Sequence, residues 1–119
     1  MSEDKYRKIA ELAAEAADDK KAFDIEILNV KGLTIIADYF VLCSGNTDKQ
    51  VQAISRAVED KLDQEEIFPK QVAGKDNGRW ILMDYADVIV HIFHKREREY
   101  YELDRLWADA KKILKKETS

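Results

Sequence analysis

The segment ADYFVLCS, Ala37 to Ser44, constrains the fold of this 119-residue chain more than any other. Its aromatic and aliphatic residues read as a strand that is apolar on both faces. Such a strand belongs in the centre of a sheet, covered on each side. The segment before it, FDIEILNV, alternates instead, with Ile25 and Ile27 on one face and Asp24 and Glu26 on the other. That pattern predicts a half-exposed strand stopping near Gly32.

Helical periods flank this pair. Ile9, Leu12, Ala13 and Ala16 recur at helical spacing and predict a helix over residues 3–17, with Ser2 as cap and the DDKK run at its close. After the strand, SGNTDKQV reads as a turn into a second helix. Thr47 and Gln50 form a T-x-x-Q capping box, each side chain reaching the other's backbone N–H. Val51, Ile54, Val58 and Leu62 mark the inward face of a helix to about residue 66, and Pro69 breaks the chain beyond it.

Three short strands follow. KQVAG is the first, and the Asn77-Gly78 pair after it predicts a tight hairpin. RWILMD and DVIVHIF are the next two, joined at Tyr85-Ala86. After HKRE, the residues Leu103, Leu106, Trp107, Ala110, Ile113 and Leu114 form an apolar stripe that predicts a final helix, with the last residues frayed. The order is α-β-β-α-β-β-β-α. It predicts one α/β domain over residues 1–119, built on a mixed five-stranded sheet. With 45% hydrophobic and 37% charged residues, the chain can fill a core under a heavily charged surface.

Charge and cysteine content narrow the function. Twenty basic residues against 24 acidic ones leave a net charge of −4 and a pI near 5.2. A protein that grips nucleic acid mainly by its phosphates carries the opposite balance, so a basic protein partner is expected. Cys43 stands alone, which rules out an internal disulfide and makes a cysteine zinc site implausible. The charged N-terminus lacks a signal core and no apolar run approaches the ~20 residues of a membrane span. A soluble protein without membrane association is expected, cytosolic or, after removal of a targeting peptide, in an organelle.

Strand alternation sorts the hairpin residues. Ile81, Met83, Val88, Val90 and Ile92 are expected to pack under the helices. Trp80, Leu82, Ile89, His91 and Phe93 fall on the other face, with Asp84, Asp87 and Glu97 as an acidic rim. This face is either the second side of a buried sheet or an exposed patch of the kind that binds protein. His91 and His94 lie three apart in a strand without further ligands, so no metal site is expected. Cys43 reads as a small core residue rather than a nucleophile.

Three blocks, DYFVLCSGNTDKQVQAI, GRWILMDYADVIVHIF and REYYELDRLW, resemble the ribosomal silencing factor family, also called Iojap, in its order and spacing. Two departures stand out: Ala86 where the family usually has Gly, and Ala73-Gly74 where Glu-Gly is common. The resemblance implies a fold related to nucleotidyltransferases without catalysis or cofactor. It also implies binding to the large ribosomal subunit through its protein uL-fourteen. There the bound factor would block joining of the small subunit and repress translation when nutrients are short. The matching positions carry over Trp80, Leu82, Asp84, Tyr85, Asp87, His91 and Phe93 as contacts, extended by Arg96, Glu97 and Tyr100. An exposed apolar face also allows a homodimer.

Two rival functions follow. Nucleotidyl transfer needs a phosphate-holding turn and paired carboxylates for two metal ions. The corresponding turn here, Ser44 to Asp48, has one Asp and no D-x-D on its strand. Direct binding of ribosomal RNA, as an assembly factor, would rest on HKRERE and KKILKK. The first alternates with Glu and the second reads as ordinary amphipathic-helix charge, which leaves at most a peripheral RNA contact.

Overall fold

A computed structural model describes residues 2–102, 105 and 107–116, the side chains of residues 2–4 excepted. Helix α1 (Ser2–Asp19) leads into strands β1 (Phe23–Asn29) and β2 (Tyr39–Gly45), then helix α2 (Asp48–Asp63). Strands β3 (Gln71–Ala73), β4 (Trp80–Asp84) and β5 (Val88–His94) follow, then the short helix α3 (Lys95–Tyr101) and strand β6 (Lys111–Lys116). The sheet runs β3-β4-β5-β2-β1-β6. Only β2 and β5 pair in parallel, and every other neighbour is antiparallel. The expected central strand is in place: every residue of β2 is buried.

Helices α1 and α2 cover one face. Val51, Ile54, Val58 and Leu62 of α2 are completely buried there, each contributing roughly 1.5–3 kcal/mol by leaving water. They meet Ile81, Met83, Val88, Val90 and Ile92, the set that alternation assigned to the helices. At the start of α2, Thr47 Oγ1 accepts the Gln50 backbone N–H at 3.0 Å. The reciprocal half of the expected capping box is shifted by one residue. Gln50 Oε1 accepts from the Asn46 N–H at 2.7 Å rather than from Thr47.

Among the described residues the sheet has six strands, not five, because the expected last helix is cut short. Glu102 takes a left-handed conformation, φ 49°, and stops α3 after seven residues. The chain turns back through Trp107 and Ala110, and KKILKK becomes an edge strand on β1. Leu103 and Leu106 of the expected stripe, the frayed terminus and the Ser2 side chain lie outside the described residues. Without β6 the outer edge of β1 would present its backbone polar groups unpaired.

This edge strand also corrects the reading of β1, which is buried on both faces. Glu26 is only 5% exposed, and its carboxylate lies 3.5 Å from Arg98 of α3 and 3.3 Å from Lys112 of β6. A buried carboxylate needs such partners. Arg98 further donates to the Asp24 carbonyl at 2.6 Å and to Ser44 Oγ at 3.0 Å. The left-handed Asp24, φ 49°, sits in the irregular register where β1 begins.

One hairpin turn departs from expectation, and the other lies where it was expected, at Tyr85-Ala86. Asn77-Gly78 does not form a two-residue turn, since Ala73 pairs with Leu82 across a longer loop. Gly78 has φ 67° there, and Asn77 instead accepts the Arg79 N–H through Oδ1 at 2.9 Å. Between β4 and β5, Ala86 takes the left-handed conformation that the family's glycine would adopt, φ 72°. Asp84 Oδ1 steadies it by accepting the Ala86 N–H at 2.8 Å.

Candidate docking face

The face of the sheet away from α1 and α2 carries a second apolar cluster. Leu28, Val30, Phe40, Leu42, Ile89 and Phe93 are buried in it, with Trp80, Leu82 and Trp107 partly buried at its margin. The expectation that this face lacks a cover holds only in part, on its β4 side, where Tyr101 of α3 still lies over Trp80. Helix α3 packs over β5 and β2, and beyond it Trp107 and Ala110 join the same cluster, Trp107 meeting Phe40 edge-on with centroids 4.9 Å apart. The face is therefore interior on one half and partly open to solvent on the other.

Trp80 stands on the boundary, neither sealed nor fully exposed. Its ring packs on Phe93 at 5.0 Å and under Tyr101 at 5.5 Å. The indole N–H donates to His91 Nδ1 at 3.2 Å. That bond fixes the imidazole as a neutral acceptor at Nδ1, and its Nε2 is buried with no partner among the described residues. Burial lowers the His91 pKa to about 4. Gly74, φ 83°, lets the preceding loop pass close to Trp80, since a Cβ there would collide with the Trp80 carbonyl oxygen.

The expected contact residues separate into groups. Trp80, Leu82 and Asp84 share one side of β4, with His91 directly across from Leu82, and all are partly exposed. Phe93 is 1% exposed and supports Trp80 from beneath, so it is corrected from a contact to a foundation. Tyr85 is likewise corrected. It is buried in the helix-side core, where burial raises its phenol far above the usual value, with Glu59 and Asp63 of α2 adding to the effect.

Asp87 sits at the same end of the sheet as Asp84, and its carbonyl accepts the Asp38 and Tyr39 N–H groups. A hydrogen bond to its carboxylate raises the Tyr6 phenol above 10.0, which turns Asp87 toward α1. Arg96 and Glu97 lie at the start of α3, beside Asp48, Arg79 and His94. His94 caps that helix by accepting the Arg96 N–H at 3.1 Å. Tyr100 is 76% exposed and rests edge-on against Tyr101.

Two features escaped the sequence reading. Tyr101, next to the anticipated Tyr100, is the ring that covers Trp80. The loop after β1 carries Leu33, Ile35 and Ile36 into solvent, with Ile35 entirely exposed. It leaves the sheet beside Asp84 and Asp87, because Val30 and Ala37 at its base belong to the second cluster. The signal was an apolar run, LTII, directly after a glycine in a segment too short to be a strand of its own.

The residues raised as catalytic candidates take up structural positions. Cys43 and His91 point to opposite faces, and burial pushes the Cys43 thiol up to about 12, with Arg98 offsetting part of the rise. Ser44 in the corresponding turn is buried and accepts from Arg98. Among the described residues, no three His, Cys, Asp or Glu side chains gather as ligands for a metal ion.

The class of protein is a small α/β domain with a half-open aromatic face on one side of its sheet. Comparison with known proteins gives that class a family. The model described as ribosomal silencing factor during starvation matches residues 3–119, and the chain belongs to this family. The ribosomal silencing factor RsfS of Bacillus subtilis is 51% identical over 104 residues, covering 87% of this chain and 88% of that protein. The chloroplastic protein Iojap of Zea mays is 34% identical over 102 residues, covering 84% of this chain and 43% of that longer protein. A crystal structure from Chromobacterium violaceum superposes with a TM-score of 0.83 at 32% identity, covering 87% and 86% of the two chains. One from Bacillus halodurans gives 0.77 at 44% identity, covering 85% and 94%.

Proposed function

We propose that this protein silences ribosomes by docking the β4 side of its second sheet face on uL-fourteen of the large subunit. The observation that carries the reading is the row Trp80, Leu82 and His91, left partly open where α3 and the Trp107 turn stop short. An aromatic anchor at the edge of a buried apolar cluster is the usual centre of a protein interface. Asp84 beside that row favours a basic partner.

Silencing is then steric. The bound domain occupies space that the small subunit needs, and no bond is made or broken. The protein acts without catalysis, in the compartment where ribosomal subunits join. A joining assay tests this: purified large subunits, preincubated with the protein, are mixed with small subunits and resolved on a sucrose gradient. The expected result is a dose-dependent loss of joined ribosomes that saturates near one protein per large subunit. Undiminished joining at saturating protein would refute it.

A further inference from the structure

A cavity of about 580 Å³ opens where β2 and β5 end, between the close of α1 and the start of α3. Three lysines line it, Lys21, Lys95 and Lys116, against a single carboxylate, Asp18. In a chain of net charge −4 this is a local reversal of sign. Asp18 is already neutralised by Lys116 at 2.7 Å. Among the described residues Lys21 and Lys95 make no ion pair, so two positive charges face the cavity uncompensated.

The site is built rather than incidental. Gln50 Nε2 donates to the carbonyls of Lys20 and Lys21, both at 3.2 Å, which ties the end of α1 to the start of α2. Asn46 lines the cavity with an amide, and Phe23 forms an apolar wall. The volume far exceeds that of one phosphate group and falls in the ~300–1,000 Å³ range of small-molecule sites. Its place, outside the carboxyl ends of a parallel strand pair, is where open α/β sheets hold ligands.

We propose that this cavity binds a small molecule bearing a polyphosphate group, with Lys21 and Lys95 on the phosphates and Phe23 against the remainder. Binding involves no chemical step. None of these residues belongs to the docking face, so the proposal stands apart from the ribosomal reading.

Isothermal titration of the full chain with a nucleoside triphosphate, and separately with inorganic tripolyphosphate, tests it at ~50 mM salt, where screening is modest. Lys21 has φ 62° at the close of α1, a position glycine occupies freely, so Lys21→Gly removes the charge without harming the fold. Saturable binding is expected, weakened about fivefold or more by Lys21→Gly and by Lys95→Gln, as loss of a charge-assisted contact requires. Lys70→Gln, away from the cavity, should leave it unchanged. The nucleoside triphosphate should bind more tightly than tripolyphosphate, and Phe23→Leu should erase that advantage.

Absence of saturable binding by ~5 mM of either probe, weaker than any specific small-ligand site, would overturn the proposal. So would equal losses in the Lys70→Gln control. Equal affinity for the two probes would overturn the role of Phe23. Tighter binding of a single-stranded RNA oligonucleotide, with the same lysine dependence, would replace the small molecule with an RNA strand.

Discussion

At Ala86 the chain accepts strain. A left-handed alanine costs roughly 1–2 kcal/mol against an ordinary conformation, and glycine avoids that cost while adding unfolded-state entropy. Ala86→Gly should therefore raise stability by about 1 kcal/mol in urea denaturation, with the turn held as before by Asp84. A loss of stability would mean that the methyl group makes contacts outweighing the strain. His91 yields a second test. Its pKa falls from 6.5 to about 4 on folding because burial disfavours the cation. Above pH 6.5 both folded and unfolded chains hold it neutral and its contribution is fully present. As pH falls toward 4 the unfolded chain takes a proton that the native one refuses, so stability is lost in that window. Denaturation at pH 7 and pH 4.5 should show this loss in the native chain and a smaller one in His91→Gln.

Among the elements, α1, α2 and β2 to β5 were legible because each obeys one hydrophobic period over enough residues. Val51, Ile54, Val58 and Leu62 fit only a helix, and the residues of β2 have no polar side to turn outward. KKILKK was not legible. Its two apolar residues extend the spacing from Leu103 equally well as helix or strand, and the deciding facts lie in β1: an unpaired edge and the buried Glu26. The half-exposed reading of β1 failed for the same reason, since alternation cannot show that a carboxylate will meet Arg98 and Lys112. Of the expected contact residues, the two-residue period assigned Trp80, Leu82 and His91 to the second face, and they lie there. Tyr85 came from the family resemblance alone, and it sits in the turn after β4 with its ring in the helix-side core. The Glu26–Arg98 pair ties α3 to the sheet and carries its own prediction. Arg98→Met leaves a buried carboxylate with Lys112 as its ion-pair partner among the described residues and should cost about 3 kcal/mol, the low end for breaking a buried pair. Replacing both Glu26 and Arg98 by methionine should recover much of that loss. If Arg98→Met alone proves neutral, Lys112 already satisfies the carboxylate.

For the whole molecule, the two faces of the sheet have different duties. The helix-side face holds the larger cluster, with Ile54, Val58, Ile81 and Ile92 entirely buried, and it secures the fold. The second face is closed over β1, β2 and β5 and opens toward β4, where Trp80 and Leu82 are partly exposed above a packed base of Phe93 and Ile89. A rigid base beneath a half-open aromatic row is what a preorganised interface requires. The exposed Leu33, Ile35 and Ile36 stand beside the acidic end of that row and offer further apolar area. Leu82→Lys probes this arrangement with little harm to the fold, because a lysine stem can lie on the apolar surface with its charge in water. The most direct measurement is co-sedimentation of purified large ribosomal subunits with the native protein and with Leu82→Lys, after matched thermal melts confirm that both are folded. The account predicts that the native protein sediments with the subunits and that the variant loses at least about tenfold in affinity, an interfacial loss near 1.4 kcal/mol. Full retention of binding by a folded Leu82→Lys variant would contradict it.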